Sequence, residues 1–237
     1  MSSTRFEFLG FPHIVVMGLM VGLPFILTLM VKRLDSARAT RAVCGTFAGV
    51  LLLNEALNWG YRLEAVGVHA FVRAHLPLHV CGISVFAVAA TLVFRSRAAY
   101  EIAYFWGLAG ATNAVVTPQL EVGYPAYGFF QYFITHGGIV AGALFATWGL
   151  GMRPTGRSVL RVFVLLNLLA VVLIGVNLAL GSNYMFLSQP PDTKSPFFFA
   201  PWPLYIPILD GVALILFYLL FVPFRIGRRG KKNKCVT

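Results

Sequence analysis

The chain has 237 residues, of which 58% are hydrophobic and 11% charged, and its mean hydropathy is +0.78. Ordinary soluble domains carry about 25% charged residues, so the composition excludes that class. The net charge is +11. The three cysteines, Cys44, Cys81 and Cys235, are widely spaced, which favours neither a disulfide framework nor a zinc knuckle. We expect no metal and no cofactor.

The hydrophobic residues cluster into runs long enough to cross a bilayer, for which about 17–25 residues are needed. Seven such spans are predicted, at residues 11–31, 42–60, 76–94, 102–117, 128–149, 159–180 and 204–222. The sequence therefore predicts an all-α polytopic membrane protein, a bundle of seven transmembrane helices. Residues 1–224 form the predicted transmembrane domain and 225–237 a basic tail. Two connections are long, residues 61–75 and the proline-rich and aromatic segment 181–203, which we interpret as an interfacial anchor or a lid.

The basic residues are distributed unevenly between the two sides of these spans. Fifteen lysines and arginines follow spans 1, 3, 5 and 7, against four on the other side, Arg5, Arg62, Arg73 and Lys194. Cytoplasmic loops are enriched in such residues, which predicts an outside N-terminus and a cytoplasmic C-terminus. The expected partner of the basic tail is anionic lipid headgroups, and no nucleic acid is expected. The chain is predicted to be a multi-pass protein of the cell membrane.

Polar residues inside the spans fall at one predicted level, the outer half of the bilayer. Ionisable groups at such depth usually face the bundle interior or a wet cavity, which predicts a pocket open to the outer leaflet. The residues at this level are Glu55, His79, Cys81, Asn113, His136, Asn177 and Asp210.

Cys81 is the candidate nucleophile among the cysteines. It lies in the first turns of span 3 after Pro77, a favourable first helical position, where the helix dipole favours a thiolate. Cys44, in the inner half, is expected to be an inert small hydrophobe.

His136 is the candidate base. His79 is two residues from Cys81 and points to another face of the helix. His136 stands in THGG, where Gly138 and Gly142 form a pattern that permits close helix packing. A structural, hydrogen-bonding role is the alternative for this histidine.

Four short motifs carry a resemblance over nearly the whole chain: LPLHVCGIS, the THGG of span 5, the glutamate at the end of span 2, and NYMFL after span 6. With them the chain resembles the YwaF family of bacterial integral membrane proteins, which is related to the animal transmembrane protein 164. The resemblance implies an acyltransferase that moves a fatty acyl chain between phospholipids without coenzyme A. It also implies that Cys81 and His136 are its essential residues, with membrane phospholipids as acyl donor and acceptor.

The polar residues allow such chemistry, which needs a nucleophile, a base and oxyanion donors. Cys81 would attack the ester with His136 as base. Glu55 or Asp210 would orient His136, and Asn113, Asn177 or Asn183 would donate to the oxyanion. If so, Cys81 sulfur and a His136 nitrogen should approach within roughly 3–4.5 Å and line one cavity. A lipid hydrolase with the same residues, or a non-catalytic receptor or small-molecule carrier, is the alternative.

The first prediction concerns topology. A reporter fused after Thr237 should read as cytoplasmic, because the basic residues that follow spans 1, 3, 5 and 7 are expected on that side. A signal from the opposite side of the membrane would overturn the depths assigned above.

Overall fold

The computed structural model describes residues 5–191 and 200–233, with side chains as far as Ile226. The part of the chain that it describes is helical, without a named strand, and divides into two compact units, Met1–Met152 and Arg153–Thr237. The sequence prediction of an all-α protein is confirmed. The predicted boundary between residues 224 and 225 stays a prediction, and Cys235 and Lys194 lie outside the described residues.

The first unit contains α1 to α6, which are Phe11–Leu34, Ala37–Ala74, Val80–Phe94, Arg97–Ile102, Leu108–Val116 and Tyr127–Trp148. A π-helical segment, Ala103–Gly107, joins α4 to α5. The second unit contains α7 (Gly156–Leu180), a 3-10 turn (Tyr184–Phe186) and α8 (Tyr205–Asn233). Each of the seven predicted spans falls on helix, and the fourth is the continuous run α4–π–α5.

Four described helices are long and apolar enough to cross a membrane: α1, α6, α7 and the part of α8 up to Ile226. The helix α3 is apolar but shorter, with 15 residues. These spans make the chain a multi-pass membrane protein. Membrane crossing by the other predicted spans stays a prediction, as does the orientation of the termini.

The prediction of a loop at residues 61–75 is wrong, because the segment is helical. The helix α2 continues through it to Ala74 and bends at Gly67, whose φ of 75° is easily adopted by glycine. Hydropathy detects membrane-length apolar runs and does not detect a polar helix that continues one of them. The prediction that Pro77 is the first residue of the third helix is also wrong, because α3 begins at Val80 with His79 as its N-cap.

The helix α6 is central to the first unit and packs against α1, α2, α3 and α5. Its glycines are the contact points. A Cβ at Gly138 would lie 2.4 Å from Leu51 of α2, and one at Gly142 would lie 2.4 Å from Val88 of α3. The close approach predicted from Gly138 and Gly142 is therefore present.

The packing at Gly142 leads to a stability prediction. The change Gly142→Ala should destabilise the protein by about 1–3 kcal/mol, because the new methyl group overlaps Val88. Gly137→Ala is the matched control on the same helix, since a Cβ there meets nothing within 4 Å. Thermal unfolding of both variants in one detergent measures the difference, and equal melting temperatures would contradict the packing described.

Candidate functional site

Cys81 is the second residue of α3, and its thiol lies beside α5. A Cβ built at Gly110 would be 3.6 Å from Cys81 Sγ, so the glycine leaves room for the sulfur. The backbone N–H groups of Val80, Cys81 and Gly82 begin the helix, and no His79 side-chain cap covers them. The N-terminal N–H groups of a helix lack intrahelical acceptors and attract negative charge. The thiol therefore stands next to backbone donors.

Tyr132 holds His136 in place. His136 Nδ1 lies 2.8 Å from the Tyr132 carbonyl oxygen. The two rings are in contact, with their centroids 4.3 Å apart and their planes tilted by 37°. The Tyr132 hydroxyl donates to the Ala114 carbonyl of α5 at 3.0 Å. The imidazole is thus fixed by a backbone acceptor and by a ring that is itself anchored to α5.

The hydrogen bond to a carbonyl assigns the tautomer of neutral His136. A carbonyl oxygen only accepts, so Nδ1 carries the proton and Nε2 carries the lone pair. Among the described residues, Nε2 has no hydrogen-bond partner. The His136 side chain is half-buried. Nε2 is therefore an acceptor that the described residues leave free.

His13 shows the contrasting arrangement. It is 1% exposed, its Nε2 donates to the Val115 carbonyl at 2.7 Å, and its Nδ1 accepts from the Leu9 N–H at 3.1 Å. Both ring nitrogens are used, so His13 ties α1 to the end of α5 and has no lone pair for catalysis.

Cys81 and Tyr132 both lie against α5, because the Cys81 sulfur is beside Gly110 and the Tyr132 hydroxyl donates to the Ala114 carbonyl four residues later. The elements α3, α5 and α6 thus bring Cys81, Gly110, Tyr132 and His136 to one region. The contact of Tyr132 with His136 was not predicted from the sequence. The signal that reveals it is its spacing four residues before His136, which puts both on one helix face.

Glu55 is 7% exposed and accepts a hydrogen bond from Trp59 Nε1 at 2.8 Å. It lies one turn after Leu51, on the face of α2 that packs on α6. In the second unit, Asp210 accepts from Asn167 Nδ2 at 3.0 Å. The hydrogen bond of His136 goes to Tyr132 and to neither acid. An orienting role for Glu55 or Asp210 stays a prediction.

The three asparagines have local hydrogen bonds. Asn177 is buried, and its amide bonds to Ser182 and to both backbone groups of Tyr184, which closes the turn after α7. Asn183 organises the following loop through Ser188 and Gln189. Asn113 is exposed and accepts from Thr117 Oγ1. Donation to an oxyanion by any of them stays a prediction.

The remaining predicted residues are accounted for more briefly. His79 caps α3 without a side-chain cap bond. Cys44 is 1% exposed, with Arg95 Nη2 at 3.6 Å from its sulfur. Among the described residues, no group of three or more His, Cys, Asp or Glu side chains is placed to hold a metal ion.

A large apolar cavity of about 920 Å³ lies between α1, α2 and α6, on a different side of α6 from Tyr132 and His136. Its lining includes neither Cys81 nor His136. It is therefore not the shared cavity expected for those two residues.

The geometry is that of a multi-pass membrane protein in which a cysteine and a tyrosine–histidine pair lie against one helix, α5. Comparison with known families matches residues 8–221 to the TMEM164 family. The chain belongs to the TMEM164 family. It is 25% identical over 227 residues to an uncharacterized protein of Treponema pallidum (strain Nichols). The alignment covers 93% of this chain and 87% of that protein. No solved structure matches the chain. The finer resemblance to the YwaF family stays a prediction.

The tautomer of His136 is directly measurable. In protein labelled with ¹⁵N-histidine, neutral His136 should show a protonated Nδ1 and an unprotonated Nε2, because Nδ1 donates to the Tyr132 carbonyl. His136→Gln assigns the signal by its loss, and His13 should show the opposite tautomer as an internal control. A protonated Nε2 on neutral His136 would contradict the site described.

Proposed function

We propose that the protein is a phospholipid acyltransferase of the cell membrane that acts through a Cys81–His136 pair. The observation that carries the proposal is the free Nε2 acceptor of His136, whose neighbour Tyr132 bonds to α5 one turn after Gly110, where the Cys81 thiol lies. The family membership supports a membrane protein of this kind. The resemblance noted in the sequence supplies the reaction class.

The first half of the reaction forms an acyl-enzyme. His136 Nε2 removes the proton from the Cys81 thiol, and the thiolate attacks the carbonyl carbon of a phospholipid ester. The N–H groups at the start of α3 donate to the oxyanion that develops. The carbon–oxygen ester bond then breaks, and the imidazolium gives its proton to the departing lysophospholipid oxygen. A thioester on Cys81 and a lysophospholipid result.

The second half returns the enzyme to its starting state. His136 Nε2 takes the proton of an acceptor lysophospholipid hydroxyl, and the alkoxide attacks the thioester carbonyl. The carbon–sulfur bond breaks, and the thiolate recovers the proton from His136. No coenzyme A is needed, since the acyl group arrives as an ester and leaves as an ester.

Tyr132 is a positioning residue in this scheme. Its ring contacts the His136 ring and its hydroxyl is held by the Ala114 carbonyl, so it keeps Nε2 directed away from the backbone. The variant Tyr132→Phe retains the ring contact and loses the hydrogen bond to Ala114. It should lower kcat with little change in KM, whereas Tyr132→Ala should lower kcat further.

The central test uses purified protein in vesicles with a phospholipid that carries a labelled acyl chain and an unlabelled lysophospholipid. Cys81→Ala and His136→Ala should each reduce transfer by at least about 10³-fold, and the double variant should be little worse, because members of one catalytic unit are strongly non-additive. Cys44→Ala and His13→Gln are the matched controls for a cysteine and a histidine outside the pair.

The products separate the alternatives. Label in the acceptor phospholipid supports transfer, whereas label only in free fatty acid indicates a hydrolase with the same residues. Normal transfer by folded Cys81→Ala would refute the nucleophile. If a ligand-binding function survives Cys81→Ser without any acyl chemistry, the receptor or carrier reading replaces the proposal.

A further inference from the structure

The apolar cavity of about 920 Å³ between α1, α2 and α6 forms a groove as long as the bilayer core is thick. Its wall on α1 runs from Phe11 to Met30, which at about 1.5 Å per residue is about 28 Å along the helix. The hydrocarbon core of a bilayer is about 30 Å thick. The groove therefore accompanies α1 through the whole hydrocarbon depth.

The groove is apolar along its length and has space at its floor. Its lining is aromatic at one end and aliphatic at the other, and the side chains on α2 recur one turn apart: Ala42, Thr46 and Val50. Gly137 of α6 lies in the lining, and a Cβ there would meet nothing within 4 Å. Such a surface fits a hydrocarbon chain.

At the end of the groove near the α1–α2 turn, an arginine follows the lining residues on each of the two helices. Arg33 follows the lining residue Met30 by three positions on α1, and Arg38 precedes the lining residue Ala42 by four positions on α2. Residues three or four apart share a helix face, so each arginine extends one wall beyond the apolar part. Both are exposed, and neither is in a salt bridge among the described residues.

We propose that this groove binds an anionic phospholipid, with its phosphate between Arg33 and Arg38 and an acyl chain against α1, α2 and α6. Arginine suits phosphate because its guanidinium donates two parallel hydrogen bonds. A docked apolar helix would match the groove but would leave the two arginines without an anion. The site lies on a different side of α6 from His136, so it is separate from the acyl-transfer site and does not depend on that function.

The test is photocrosslinking in phosphatidylcholine vesicles that contain a small fraction of phosphatidylglycerol with a photoactivatable acyl chain. Crosslinks should map to α1, α2 and α6 at groove-lining residues. Thr46→Trp fills the groove and should abolish most of this capture. Gly45→Trp is the matched control, since the neighbouring position is exposed, lies outside the lining and meets nothing within 4 Å.

The headgroup is tested with Arg33→Gln and Arg38→Gln. Each should lower phosphatidylglycerol capture by about fivefold, as expected for one basic residue at an anionic membrane surface. Capture of a phosphatidylcholine probe with the same chain should change little. Arg157→Gln, at an exposed arginine of α7, is the control for nonspecific charge and should retain capture.

Each result decides the proposal. Unchanged capture by Thr46→Trp, or equal loss in Gly45→Trp, would overturn the groove as the binding site. Equal effects of the arginine variants on both probes would overturn the anionic headgroup. Crosslinks between two protein copies that replace the lipid crosslinks would assign the groove to a second chain. If Thr46→Trp does not fold, Ala42→Phe provides the same test one turn earlier.

Discussion

Close packing on α6 is the constraint on which the first unit depends. In a membrane, lipid tails are as apolar as leucine side chains, so helices associate through close contact and hydrogen bonds instead of through exclusion of water. Gly138 admits Leu51 of α2, and Gly142 admits Val88 of α3. Gly107 of the π-helical segment likewise makes room for Ile139 of α6. Three partners thereby approach one helix, and the polar groups that α6 carries are brought into fixed surroundings.

Some polar side chains within this packing use all of their hydrogen-bonding atoms, and others have an atom without a partner. His13 uses both nitrogens and ties α1 to α5. Asn54 donates to the Gln131 carbonyl and to Thr135 Oγ1, which links α2 to α6. His136 uses one nitrogen and keeps the other free among the described residues. A histidine with a free lone pair inside a membrane protein is costly to the fold, which is why such residues indicate function.

The sequence was sufficient to predict the helices and insufficient to predict the connections between side chains. Membrane-length apolar runs are a strong signal, and all seven fall on helix. The extension of α2 to Ala74 was missed because Arg62, Glu64 and Arg73 interrupt its apolar sequence. Cys81 and His136 were predicted from residue type and depth, and their roles stay predictions. The contacts of Tyr132 were not predicted, since a tyrosine near the end of an apolar span usually marks the membrane interface, and its contacts with Ala114 and His136 exist only in three dimensions.

The π-helical segment Ala103–Gly107 determines which residues of α5 face α3 and α6. Each π-type turn takes in one more residue than an α-turn, so everything after it is rotated by about 100° relative to an uninterrupted α-helix. The Gly110 that makes room for the Cys81 sulfur and the Ala114 that anchors Tyr132 both follow the segment. Folded as an uninterrupted α-helix, the same sequence would turn Gly110 and Ala114 away from Cys81 and Tyr132. The wider turn thus sets the register of α5 against both neighbouring helices.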